Sequence, residues 1–87
     1  MVRAIILVKS PKKLIAVKLR KLSKVSNSFP TSGQFDAVAI IDVKELIEIK
    51  DVANQIQKIS GVERTETMVE VQWVLIEFKN NFKKYLK

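Results

Sequence analysis

Two stretches of this sequence are apolar at every position: Ala4-Ile5-Ile6-Leu7-Val8 near the start and Ala37-Val38-Ala39-Ile40-Ile41 near the middle. Both are short and rich in branched residues, which reads as extended strand rather than helix. Side chains alternate between the two faces of a strand, so a run with no polar member is a strand with both faces to bury. Ala4, Ile6 and Val8 alternate with Ile5 and Leu7, while Ala37, Ala39 and Ile41 alternate with Val38 and Ile40. At 87 residues there is room for one domain and one core. The chain's own helices can cover one face of these strands. The other face stays bare in a monomer, and an exposed apolar patch of that kind marks an association surface. An oligomer is therefore the first expectation.

The rest of the chain supplies the helices and the outer strands. Val2 to Val8 forms the first strand. Ser10-Pro11 reads as a capping hydroxyl followed by proline at the first helical position, opening a helix over 12–25. Ile15, Leu19 and Leu22 fall on one stripe of that helix, and Lys13, Arg20, Lys21 and Lys24 spread over the other face. Val25 to Thr31 reads as a short strand whose Pro30 cannot donate to a ladder, which places it at the sheet edge. A turn at Ser32-Gly33 leads into a strand from Phe35 to Ile41. Asp42 then caps a second helix, with Glu45 completing a capping box. Leu46, Ile49, Ala53, Ile56 and Ile59 give that helix its core stripe, with Val52 on its flank and Gly61 at its end. From Val62 the period becomes two. Thr65, Thr67, Val69, Val71 and Trp73 share one face, and Glu66, Met68, Glu70 and Gln72 the other. The order predicts an α+β, ferredoxin-like βαββαβ domain over 1–73, an antiparallel four-stranded sheet with both helices on one face. A basic, aromatic tail over 74–87 returns to helical spacing through Leu75, Phe78, Phe82 and Tyr85.

Catalysis finds little to use. With no cysteine and no histidine, disulfides, Cys/His nucleophile pairs, serine triads and the usual zinc ligand sets are all absent. Gly33 and Gly61 are the only glycines, too few for a glycine-rich phosphate loop. Glu45/Glu48 and Glu63/Glu66/Glu70 sit at the spacings of solvated faces. A binding protein without metal or cofactor is expected. The apolar run near the start is far below the ~20 residues of a membrane span, and no signal peptide precedes it, so the expected location is cytoplasmic. The net charge of +7 is uneven: residues 1–35 carry eight basic side chains and no acidic one, and all nine acidic residues lie between Asp36 and Glu77. Solvated faces that keep a small protein soluble account for this. The alternative function is a nucleic-acid-binding protein using the basic first helix and the tail, against which stands the lack of aromatics along that helix for bases to stack on.

Two segments carry more than scaffold. TSGQFD, Thr31 to Asp36, reads as a hairpin turn, yet Asp36 stands where a carboxylate can reach a ligand amino group while backbone N–H groups near Gly33 reach a carboxylate. GVERTET, Gly61 to Thr67, reads as a helix stop and a strand start, and its two threonines send both hydroxyls to one face.

A strand like VRAIILVK, then a turn of the form T-x-G-x-aromatic-D, then G-V-x-x-T-x-T after a helix, resembles the effector-binding (RAM) domain of the Lrp/AsnC family of transcriptional regulators, over roughly Met1 to Trp73. Ser32 intervenes before the glycine, Phe35 stands where tyrosine is commoner, and the strand containing Pro30 is unusually polar. The helix-turn-helix domain that usually comes first has no counterpart here, so the expectation is a stand-alone version of the module. The resemblance implies sheets paired face to face in dimers, and dimers closing into octameric or decameric rings. It implies a non-enzymatic module that senses an amino acid or related small effector, possible co-assembly with full-length Lrp/AsnC regulators, and no direct DNA contact. Carried over by position, it gives Gly33, Phe35, Asp36, Thr65 and Thr67 as effector-binding residues, with Ser32 and Glu63 beside them. Asp51 and Gln55, one turn apart on the second helix, are candidates for side-chain selectivity.

Overall fold

A computed structural model describes residues 2–70. It contains β1 (Val2–Lys9), α1 (Ala16–Arg20), β2 (Val25–Pro30), β3 (Ala37–Val43), α2 (Leu46–Gln57) and β4 (Arg64–Val69). The strands form one antiparallel sheet in the order β2-β3-β1-β4, so the two all-apolar strands are central. This is the expected ferredoxin-like arrangement. The expected tail helix over 74–87, and Val71 to Trp73 of the last strand, lie outside the described residues.

The period of two sorts the sheet into two unlike faces. In register, Ala4 faces Ile41, Ile6 faces Ala39 and Val8 faces Ala37. These six side chains are buried with Ile15 and Leu19 from the α1 side and Ile49, Val52 and Ile56 of α2. On the reverse face Ile5 faces Ile40 and Leu7 faces Val38, with Met68 beside Ile5 and Phe29 beside Val38. Among the described residues no helix covers this side; Ile5, Phe29 and Met68 are exposed there. Charged pairs fence it at one end, with Arg3 3.9 Å from Asp42 and 3.8 Å from Glu70.

The first helix is much shorter than the expected 12–25. Ser10 does not cap it. The Ser10 backbone N–H is taken by the Asp36 carboxylate at 2.8 Å, and its hydroxyl donates to the Lys13 carbonyl, closing a turn over Pro11–Lys13 instead. The helix therefore begins only after Ile15, a residue with no side-chain acceptor. It ends at Arg20, because the chain must reach β2 by Val25; the N–H groups of Lys21 and Leu22 close three-residue turns on Lys18 and Leu19. Its stripe is as expected: Ile15 and Leu19 are buried and Leu22 packs against the core.

Two other boundaries shift. β3 starts at Ala37 rather than Phe35 and runs on through Asp42, whose partner Arg3 holds it in the ladder. Asp42 thus caps nothing; α2 opens on Glu45, and the capping box is Glu45–Glu48. The Glu48 carboxylate accepts the N–H groups of Glu45 (2.8 Å) and Lys44 (3.1 Å) and lies 3.2 Å from the Lys24 ammonium. Leu46, expected in the core, is exposed at the helix start, and Val52 takes the central place in the stripe.

These bonds hold the Glu48 carboxyl below its ordinary value of 4.5, first through the Glu45 N–H and then through Lys24. A group with a lowered folded-state value stabilises fully above the ordinary value, and that contribution is lost as pH falls through the folded one. Glu48→Gln is expected to lower the melting temperature near neutral pH and to flatten its acid side. Melting curves from about pH 7 down to about pH 3 check this, the gap between variant and wild type closing as the wild-type carboxylate is protonated.

At the outer edge, β2 carries a bulge between Val25 and Asn27 and ends on Pro30. The Arg20 guanidinium donates twice to the Ser28 carbonyl, at 3.2 and 2.7 Å, tying α1 to this strand. Among the described residues, no helix is long and apolar enough to cross a membrane.

Candidate functional site

The turn between β2 and β3 is pinned from both sides. Thr31 donates its N–H to the Asp36 carbonyl (2.9 Å) and its hydroxyl to the Phe35 carbonyl (2.8 Å). Asp36 donates its N–H to Val8 (2.9 Å), and the Lys9 ammonium reaches the Gln34 carbonyl (3.1 Å). Gly33 has φ +113°, a conformation that favours glycine, and open space where a side chain would stand. Its backbone can thus be approached closely by a ligand.

The antiparallel pairing brings the GVERTET segment to the same end of the sheet. The Glu63 N–H donates to the Lys9 carbonyl (2.8 Å), and Arg64 pairs with Lys9 across β1 and β4. The Arg64 guanidinium lies 5.2 Å from the centre of the Phe35 ring, joining the two segments by a cation–π contact. Arg64 and Lys9 were not among the residues expected from sequence. Arg64 lies inside the segment singled out, but its contact with Phe35 follows from the β1–β4 register, which the segment itself does not encode.

Asp36 is half-buried and borders a cleft of about 280 Å³ walled by the Ser10–Ala16 segment, with its lysines Lys12 and Lys13, and by Pro30 and Thr31. One of its oxygens anchors Ser10, so this carboxylate shapes the turn as well as charging the cleft. Ser32, Gly33 and Glu63 are exposed at the rim of this end of the sheet.

The two threonines point elsewhere. Thr65 faces Val8 and Thr67 faces Ile6, which puts both on the helix-covered side beside α2. The Thr65 hydroxyl accepts a hydrogen bond from Gln57 at 2.9 Å. Thr67 borders a shallow cleft of about 300 Å³ with Leu46, Ile49, Lys50 and Ala53. The cleft beside Asp36 and the cleft beside Thr67 share no lining residue, and β1 runs between them. Within one chain, then, the structure brings Phe35 and the Glu63–Arg64 step together and leaves Thr67 in a separate place. Asp51 and Gln55 are exposed on α2 and line neither cleft. No cluster of three metal-ligating side chains occurs among the described residues.

Known proteins share this architecture. The chain is similar to the Thermus thermophilus protein TTHA0845, with 29% identity and a TM-score of 0.76 over 83% of this chain and 95% of that one. It is similar in fold to Escherichia coli AsnC, with 20% identity and a TM-score of 0.68 over 82% of this chain but 51% of that one. The Neisseria meningitidis transcriptional regulator NMB0573, solved as a complex with L-Met, matches with 18% identity and a TM-score of 0.67, over 84% of this chain and 51% of that one. The chain thus spans about half the length of these two regulators. No curated protein matches it. The model of the Lrp/AsnC ligand binding domain matches residues 3–78, nearly the whole sequence, and with the strand order and the two converging segments in place the chain belongs to that family.

Proposed function

We propose that the chain is a non-enzymatic module that assembles with copies of itself and senses a free amino acid or a close relative. The observation that carries this reading is the pinned turn at Gly33–Asp36. It sets a carboxylate in a cleft, an approachable backbone beside it, and the Arg64 and Lys9 cations on its other side. A zwitterion needs an acceptor for its ammonium group and donors for its carboxylate, and this end of the sheet offers both. The threonine cleft is separate within one chain, so Thr65 and Thr67 contribute to the same ligand only from a neighbouring copy. Sensing and assembly are thereby linked. The fold shared with NMB0573, a regulator solved in complex with L-Met, supports the ligand class. Dimers pair through the bare apolar sheet face and close into octameric or decameric rings, alone or with full-length Lrp/AsnC regulators.

Native mass spectrometry with and without an amino-acid mixture tests both halves, since one spectrum reports stoichiometry and ligand mass. The expected result is an even-numbered oligomer that gains one amino acid mass per site. A bare monomer in both conditions overturns the reading.

A further inference from the structure

The α1 side of the molecule concentrates positive charge. Lys12, Lys13, Lys18, Arg20, Lys21 and Lys24 all fall between the end of β1 and the start of β2, a stretch with no carboxylate of its own. Among the described residues, Lys24 meets a carboxylate, Glu48. Arg20 and Lys13 give their N–H groups to neutral oxygens, the Ser28 carbonyl and the Ser60 hydroxyl, and keep their charge. Among these cations stand Leu14, 89% exposed, and Val17, 62% exposed. Lys18 and Lys21 follow Val17 by one and four residues, so an aliphatic pair sits within a field of ammonium groups.

A solvated face has no need of a leucine in water, and a nucleic acid would satisfy the lysines while setting its phosphates and sugars against the aliphatics. A partner with both carboxylates and branched apolar side chains matches every element of the surface. We propose that this surface docks an acidic, leucine-bearing segment of a protein partner. The carboxylates of the segment meet Lys12, Lys18 and Lys21, and its apolar side chains cover Leu14 and Val17. Charge steers the encounter, and apolar burial gives the contact its selectivity over other polyanions.

The full chain is titrated by fluorescence anisotropy with a labelled peptide of about fifteen residues that combines glutamates with leucines at helical spacing. A matched peptide with serine at each leucine, duplex DNA and phosphatidylserine vesicles are the comparators. The leucine peptide should bind at least about tenfold more tightly than the serine peptide and more tightly than DNA or vesicles. Lys18→Glu with Lys21→Glu, and separately Val17→Ser, should each weaken it by about tenfold or more. All three positions are exposed and none lines the Asp36 cleft, so the fold and amino-acid binding should be unchanged in the same variants. Equal binding of both peptides would reduce the surface to a charge sink. Tighter binding to DNA or vesicles would assign it to another partner. No peptide binding, or no loss in the variants, also overturns the proposal.

Discussion

Placing a lysine at Ile5 or Ile40 is expected to break the proposed assembly down to a monomer of about 10 kDa, the mass of the 9.9 kDa chain. The two residues face each other across β1 and β3 at the centre of the sheet face that no described helix covers, with Leu7, Val38, Phe29 and Met68 around them. When two such faces stack, each substitution enters the contact twice, because a two-fold interface uses the same patch from both copies. An ammonium group buried without a partner costs on the order of several kcal/mol. The fenced end of this face provides no relief, since Asp42 and Glu70 already engage Arg3. A penalty of about 4 kcal/mol raises the dissociation constant about a thousandfold, enough to change the species present at micromolar concentration. The monomer itself should still fold, because Ile5 is already 37% exposed and the buried core lies on the opposite face. Sedimentation velocity on wild type and variant measures this. An unchanged sedimentation coefficient for Ile5→Lys would remove the sheet face as the contact.

The second large effect concerns the ligand. Asp36→Asn is expected to weaken amino-acid binding by about 1–3 kcal/mol, or roughly five- to 150-fold, the scale of a lost hydrogen bond to a charged group. The asparagine is chosen over alanine because Asp36 also accepts the Ser10 N–H at 2.8 Å. Alanine would free that buried-side donor and loosen the β1–α1 turn, mixing stability with affinity. Asparagine keeps an acceptor and removes the charge. Thr67→Val should produce a loss of the same order with no change in melting temperature, because the Thr67 side chain borders an open cleft. Isothermal titration against the twenty amino acids reads both variants. A wild type that binds none of them, or an Asp36→Asn variant that binds equally well, would leave assembly as the module's whole role.

The sheet was legible because its signal is local and repeated. Apolar residues on both faces of two runs mark the central strands, and Pro30 marks an edge, all without reference to distant residues. Helix starts were less legible because a cap depends on what competes for it. Ser10 has the right chemistry to cap a helix, but a carboxylate 26 positions away in sequence claims its N–H. Asp42 likewise is a good cap by type, yet Arg3 across the ladder keeps it in the strand and Glu45 takes over. The candidate site divides in the same manner. The TSGQFD turn and the shared face of Thr65 and Thr67 follow from turn chemistry and a period of two. That Arg64 lands on Phe35 while Thr67 borders a separate cleft beside α2 depends on register across the sheet, a property of pairs of strands.

The finish of the β2 edge has a consequence for the chain in a crowded solution. A strand edge is a template: any extended peptide that matches its row of donors and acceptors can add to it, and repeated addition grows a fibril. On β2, the bulge at Val25–Asn27 breaks the spacing of that row, Pro30 removes a donor at its end, and Arg20 occupies the Ser28 carbonyl. An incoming strand would have to give up several hydrogen bonds to lie there. If copies stack through the apolar sheet face as proposed, lateral, open-ended growth from this edge would still have to overcome these lost hydrogen bonds.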